Sequence, residues 1–290
     1  MKLVPTNSIE LTKKERKRSV ILAILIGIIL MIVVQTIFTE VPKQFISNTG
    51  AQEVIALFVN IFVILAVLAF SHLFENRTVA SFGLSWEKPL KNIGIGLLTG
   101  FIFLLFVFFV NLLAGSINIS FDFSSISWIY VIASFFGFLF QGTMEELVCR
   151  GFIMNSISAK TNVWTGVLIN SIIFTTLHGL NDSVTILAIL NLFLASLILS
   201  IIFYLSDNLL LVGAFHAIWN FMLGPFFGVP VSGLSIYSSV IKTEPVASKA
   251  IINGGNFGFE GGLGLTIGAV LMLIILFYFV KKKNVSTKTA

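Results

Sequence analysis

Hydrophobic positions in this chain come in long, nearly unbroken runs separated by polar, Gly-rich or irregular stretches. A membrane-spanning helix needs about 20 mainly apolar residues. Seven runs meet that length directly, at roughly 20–38, 54–74, 93–115, 163–180, 184–206, 209–226 and 263–280. An eighth, from about 128 to 157, begins apolar and then carries Glu145, Glu146 and Arg150. The longest interruption covers about 227–262, and no inverted pair of broken helices repeats along the chain. The pattern predicts an all-α polytopic membrane protein of about eight transmembrane helices.

Charge gives this bundle a direction. With the N-terminus inside, the inner segments hold Lys2, Lys13, Lys14, Arg16, Lys17, Arg18, Arg77, Lys88, Lys91, Lys160, Lys281, Lys282, Lys283 and Lys288. The outer segments hold only Lys43, Lys242 and Lys249. Fourteen against three is the asymmetry that marks cytoplasmic loops. Both termini are therefore expected in the cytoplasm, with a basic N-terminus at 1–19, a transmembrane helical domain at 20–280 and a basic tail at 281–290. The basic run before Val20 resembles the start of a signal peptide. The apolar stretch continues to Phe38, however, and Glu-Val-Pro-Lys follows instead of a small-residue cleavage site, so it reads as an uncleaved first span.

Composition narrows the class further. Of 290 residues 57% are hydrophobic and 11% charged, Phe alone contributes 30, and the mean hydropathy is +1.01. No soluble domain of this size hides so much apolar surface. An integral, multi-pass protein is expected, in the plasma membrane if the source is prokaryotic. The net charge of +5 sits in membrane flanks rather than on a folded basic face, which argues against a nucleic-acid partner. A single cysteine, Cys149, excludes an internal disulfide.

In so apolar a chain the informative residues are the ionisable ones at membrane depth, each costing at least ~2.5–3.5 kcal/mol at a span centre. Three clusters stand out. In EELVCR, at 145–150, Glu146 and Arg150 are four apart and share a helical face, while Glu145 points about 100° away and is free to face a cavity. Two acids with one base leave a surplus negative charge that mere helix pairing does not require. In FTTLHG, at 174–179, Phe174 and His178 stand one turn apart, and in HAIWN, at 216–220, so do His216 and Asn220. Alone, the first cluster already points to function, whereas the second and the third each read as ordinary interhelical packing. Together, a carboxylate and imidazole can deprotonate water while a second imidazole and an amide steady an oxyanion. The same carboxylate and two imidazoles are also a zinc-binding set with one position left for water, and spacing does not choose between the two.

EExxxR, then FxxxH, then HxxxN on successive intramembrane helices resembles the motif set of the CPBP intramembrane proteases. That family includes the type II CAAX prenyl proteases and bacterial proteins of bacteriocin processing and self-immunity, formerly grouped as the Abi domain. All three motifs are complete here, within a core at about 125–225. The resemblance implies an intramembrane endopeptidase acting on a peptide or membrane-associated protein. By resemblance Glu145 and His178 would activate water, His216 and Asn220 would hold the oxyanion, and Glu146 and Arg150 would support them. It also implies either a metalloprotease, with zinc as cofactor, or a metal-free glutamate mechanism; the latter is slightly favoured.

Other features are set aside. His72, beside Glu75 and Arg77, reads as interfacial, and Cys149 as an inert buried thiol. The run NGGNFGFEGGLGLT, at 253–266, lacks the Gly-Lys-Ser/Thr of a phosphate loop and reads as a flexible outer connection. Trp128, Trp164 and Trp219 are expected in interfacial belts or in packing. Depth arithmetic is less comfortable. At ~1.5 Å per residue, Glu145 and His178 each lie roughly 25 Å from a turn near Lys160, whereas His216 lies about 13 Å from the turn at Ser206–Asn208. Besides the peptidase, a non-catalytic immunity or scaffold protein is the alternative, and a proton-coupled transporter a more distant one.

Overall fold

The computed structural model describes residues 3–289, with side chains to Val285. Lys2 and the side chain of Lys288 lie outside the described residues. The chain is an all-α polytopic membrane protein, with one two-stranded ribbon among the described residues. In order it forms α1 (Asn7–Glu15), α2 (Val20–Lys43), α3 (Thr49–Phe58), α4 (Asn60–Glu75), α5 (Pro89–Leu113), β1 (Ile117–Ser120) and α6 (Trp128–Glu146). α6 passes into a π-helical segment, Leu147–Met154, and then into α7 (Asn155–Lys160). There follow α8 (Val163–His178), α9 (Ile186–Ser206), α10 (Leu209–Phe221), a π-helical turn Met222–Phe226, β2 (Lys242–Pro245), α11 (Ala250–Asn253) and α12 (Leu263–Thr289).

Among the described residues seven helices are long and apolar enough to cross a membrane, taking α3 with α4, α6 with its extension, and α10 with its π-helical turn as one each. The eighth expected span is α8, apolar but only 16 residues long. Helix starts follow from local chemistry. Ser19, Asn48, Asn162, Thr185 and Asn208 each accept, through the side chain, the backbone N–H three residues on, which satisfies donors that the first turn leaves open. Outward faces are apolar: α2 exposes Ile21, Leu25, Ile29 and Val33, and α12 exposes Ile274, Ile275 and Tyr278. In water such faces would be a liability, whereas lipid is their natural solvent.

The bundle has two distinct ends. At one, both terminal helices meet the core. The Ser8 backbone N–H donates to Asp207 (3.0 Å), Asn155 donates to Ser8 Oγ (3.0 Å), and Lys283 Nζ donates to the Tyr204 carbonyl (2.8 Å). α1 is thus a docked helix, and the basic tail continues α12 as helix to Thr289. Arg77 lies under α1, fully buried. It donates to Ser81 Oγ (3.1 Å), Thr12 Oγ1 (3.0 Å) and the Gly151 carbonyl (3.3 Å), and its guanidinium lies 4.1 Å from the Phe82 ring centre. Burial draws its pKa down to about 10, with Glu75 opposing, so it stays charged at neutral pH. Arg77 and Glu75 are therefore interior groups, and only His72 of that trio is exposed.

At the other end β1 pairs antiparallel with β2, from Ile117 opposite Pro245 to Ser120 opposite Lys242. Asn253 donates to the Ser116 carbonyl (2.7 Å), and Asn181 to that of Ser232 (3.0 Å). The Gly-rich run expected to be flexible is a packed cap. Gly254 and Gly258 take φ of +83° and +84°, a region open to glycine, and the turns they permit bury Phe257, Phe259 and Glu260.

The bond set around Ser8 also resolves the depth mismatch. Because Ser8 touches both Asn155 and Asp207, the turn at 206–208 is level with Asn155 and not with Lys160. Glu145 is ten residues from Asn155 and His216 nine from Asp207, so both lie roughly 15 Å deep.

Candidate active site

α6 and α10 come together through glycine. A Cβ on Gly142 would stand 2.8 Å from the Ala217 nitrogen and 2.9 Å from the Gly213 oxygen. Only a residue without a side chain permits this approach, and it sets the EExxxR helix directly against the HxxxN helix. α8 packs on both α9 and the π segment and brings His178 in at its last turn.

Glu145 is the centre of the resulting cluster. Its Oε2 lies 3.5 Å from His178 Nε2 and 3.8 Å from His216 Nε2 and has no hydrogen-bond partner, while its Oε1 accepts from the Gln141 side-chain amide. Glu145 lines a cavity of about 710 Å³ that also receives His178, His216 and Asn220. Glu146 turns away into the protein, fully buried. Its Oε1 accepts from Arg150 Nη1 (2.9 Å) and faces His216 Nδ1 (2.9 Å). Arg150 is anchored in turn on Ser196, at 2.8 Å to the hydroxyl and 3.2 Å to the carbonyl. The i, i+4 pair persists although the winding becomes π-helical from Leu147, a local irregularity common at functional sites.

The ring orientations follow from acceptor chemistry. His178 Nδ1 lies 3.1 Å from the Phe174 carbonyl, which only accepts, so Nδ1 carries the proton and Nε2 is turned to Glu145. His216 Nδ1 is matched to Glu146 in the same way. Phe174 also stacks on His178, ring centres 4.2 Å apart, and receives the Arg150 guanidinium at 4.7 Å on its ring. The FxxxH pattern thus places the aromatic ring and the carbonyl that orient the imidazole. Asn220 reaches the carboxylate through a relay, donating to Gln141 Oε1 (3.0 Å). Since a carboxylate only accepts, Gln141 must present its amide to Glu145 and its oxygen to Asn220.

All six residues singled out in the sequence therefore meet around one cavity or its immediate support. Among the described residues, no three His, Cys, Asp or Glu side chains are grouped as metal ligands. Cys149 is buried, though it lies against the cavity. Two residues escaped the sequence reading. Gln141 stands one turn before Glu145, and its polarity within an apolar run was the available signal. Glu260 accepts from Trp219 Nε1 (3.1 Å) and from the Ser232 backbone N–H (2.6 Å) and hydroxyl (2.8 Å), tying the Gly-rich cap to the residue next to Asn220. Nothing in its Gly-rich surroundings marked it. Trp219 is accordingly a packing residue.

Residues 126–222 match the model of the family described as Type II CAAX prenyl endopeptidase Rce1-like. The matched segment contains all three motifs. Comparison with curated proteins and with solved structures returns no match.

Proposed function

We propose that this chain, which carries a Type II CAAX prenyl endopeptidase Rce1-like domain over residues 126–222, is an intramembrane endopeptidase of the glutamate type. One observation carries the reading. A carboxylate oxygen without a hydrogen-bond partner faces two imidazole nitrogens at the wall of a cavity. Glu145 Oε2 is set to take one proton of a water whose other O–H donates to His178 Nε2, and the water oxygen attacks a peptide carbonyl, keeping that second proton. The C–O bond forms as the carbonyl π pair moves to oxygen. His216 and the free amide hydrogen of Asn220 then donate to that oxyanion. When the tetrahedral species collapses, the C–N bond breaks and the proton taken from water passes to the leaving amine.

Charge balance supports the assignment. Glu145, Glu146 and Arg150 sum to one negative charge in an apolar bundle, and a single imidazolium neutralises it. To donate from Nε2 while Nδ1 stays on Glu146, at 2.9 Å, His216 must carry N–H on both ring nitrogens. Glu146 and Arg150 support His216 and do not face the cavity.

The test is cleavage of a quenched-peptide library by purified protein in detergent. Wild type should cleave, and Glu145→Ala and His178→Ala should lose activity by at least about 10³-fold while keeping the wild-type melting temperature. A cellular phenotype that survives Glu145→Ala would instead favour a binding role, as in an immunity protein. A zinc enzyme would lose activity to a chelator and regain it with zinc; the glutamate mechanism is expected to be indifferent to both.

A further inference from the structure

We propose that the cavity takes an extended polypeptide segment from the non-cytoplasmic side of the membrane, and that Asn60 Oδ1 receives one backbone N–H of that segment. This rests on the peptidase reading for its chemistry but not for its geometry.

The connecting residues that line the cavity, such as Asn181, Ser232 and Ser235, all belong to the end of the bundle that carries the β1–β2 ribbon. Among the described residues, none from the turns at 76–88, 161–162 or 207–208 lines it. The opposite end holds both terminal helices and twelve of the described Lys and Arg, against three, Lys43, Lys242 and Lys249, at the ribbon end. The bias of basic residues toward the cytoplasm then puts the mouth outside.

Asn60 identifies what the cavity holds. It sits where α3 breaks into α4, and its Nδ2 donates to the carbonyls of Ala56 (3.1 Å) and Leu57 (2.8 Å), which the break leaves without helical donors. That fixes the amide and leaves Oδ1 as the free atom. Asn60 is fully buried, lines the cavity, and its Oδ1 has no partner. A buried acceptor left unmade carries a penalty of about 1–3 kcal/mol. A peptide N–H removes it, whereas an isoprenoid or acyl chain has no donor to offer. The level is also suitable. Leu57 lies against Gly137 and the Phe58 ring packs on Phe140, so Asn60 stands a little over one turn nearer the mouth than Glu145. A strand entering from outside passes Asn60 before it reaches the carboxylate.

Two arms test this. In sealed vesicles containing the full chain, a charged, membrane-impermeant quenched peptide should be cleaved by right-side-out preparations and at least tenfold more slowly by inverted ones, with detergent abolishing the difference. The reverse order overturns the proposal and leaves the peptidase intact. No cleavage even in detergent removes the peptidase reading, and labelling then decides the face alone. An impermeant maleimide should label Ser235→Cys, above the wild-type background, only in right-side-out vesicles, and labelling only in inverted vesicles overturns it.

For Asn60, backbone N-methylation is scanned along the best-cleaved peptide. One position should raise wild-type KM about tenfold and add nothing in Asn60→Ala, whose own KM is already raised to match. If Asn60→Ala does not fold, Asn60→Ser, too short to reach, serves instead. N-methylation that penalises wild type and variant equally at every position refutes the Asn60 contact.

Discussion

Phe174 makes three contacts at once. Its carbonyl sets the His178 tautomer, one ring face stacks on that imidazole, and the ring also takes the Arg150 guanidinium. Replacing it with Leu keeps the carbonyl and removes both ring contacts. Phe174→Leu should cost about 1–2 kcal/mol of stability and lower kcat more than it changes KM, measured by thermal melts and steady-state kinetics. Gln141 acts only through others. By occupying Oε1 it leaves Oε2 to face the two imidazoles, and it steadies Asn220. Gln141→Leu should leave the fold intact and reduce kcat by about 10²-fold, the usual consequence of small misplacements in a catalytic set. An unchanged kcat would show that Glu145 is held by its backbone alone. The contrast between these residues marks where sequence reading stops. Glu145, His178, His216 and Asn220 are visible because each is polar and at membrane depth, Glu145 beside Glu146 and the other three one turn from a companion. Gln141 was equally polar, but its role depends on two helices converging, which no local spacing reveals.

At the level of elements, the decisive contact is the one between α6 and α10, where backbone meets backbone at Gly142 and Gly213. Gly142→Ala must separate the two helices, since the new methyl meets main-chain atoms that cannot rotate away. It should destabilise by about 1–3 kcal/mol and impair turnover by drawing His216 off Glu145. Gly94→Ala, whose methyl would meet nothing within 4 Å, is the control and should melt at the wild-type temperature or slightly above. The docking of α1 supplies a second case. Arg77→Met removes one partner of a buried charge pair and strands Glu75, so a loss of about 3–5 kcal/mol is expected, with α1 becoming the first site of limited proteolysis. Helix starts and spans were legible because capping side chains and apolar runs are local. The docking of α1, the π winding after Glu146 and the level of the turn at 206–208 were not, because each is settled by a partner far away in sequence: Asp207 for Ser8, Ser196 for Arg150, Asn155 for Ser8 again.

For the molecule as a whole, a cluster of buried polar groups sits within an apolar core enclosed by a shell that only lipid can solvate, and its cavity is reached from one end. Purified protein should be insensitive to prolonged dialysis against a chelator, with kcat within twofold of the untreated sample. Loss that zinc restores would replace the glutamate mechanism with a metallo one while leaving Glu145 essential. The fold class, the broad order of spans and the six clustered residues could all be read from hydropathy and motif spacing. The cap over residues 227–262 could not, since Gly-rich sequence says only that turns are permitted, not which side chain they will bury. That cap is where the largest correction lies, and Glu260 is its fastening pin. On the proposed reading rim and catalyst are one mechanical part: an outward swing of Ser232 would pull on Glu260, and Glu260 on Trp219, the neighbour of Asn220. A bulky cargo that forced the rim would disarm the machinery behind it, and a slender unfolded strand would not. Glu260→Ala should therefore narrow the gap in cleavage rate between bulky and slender peptides while slowing both.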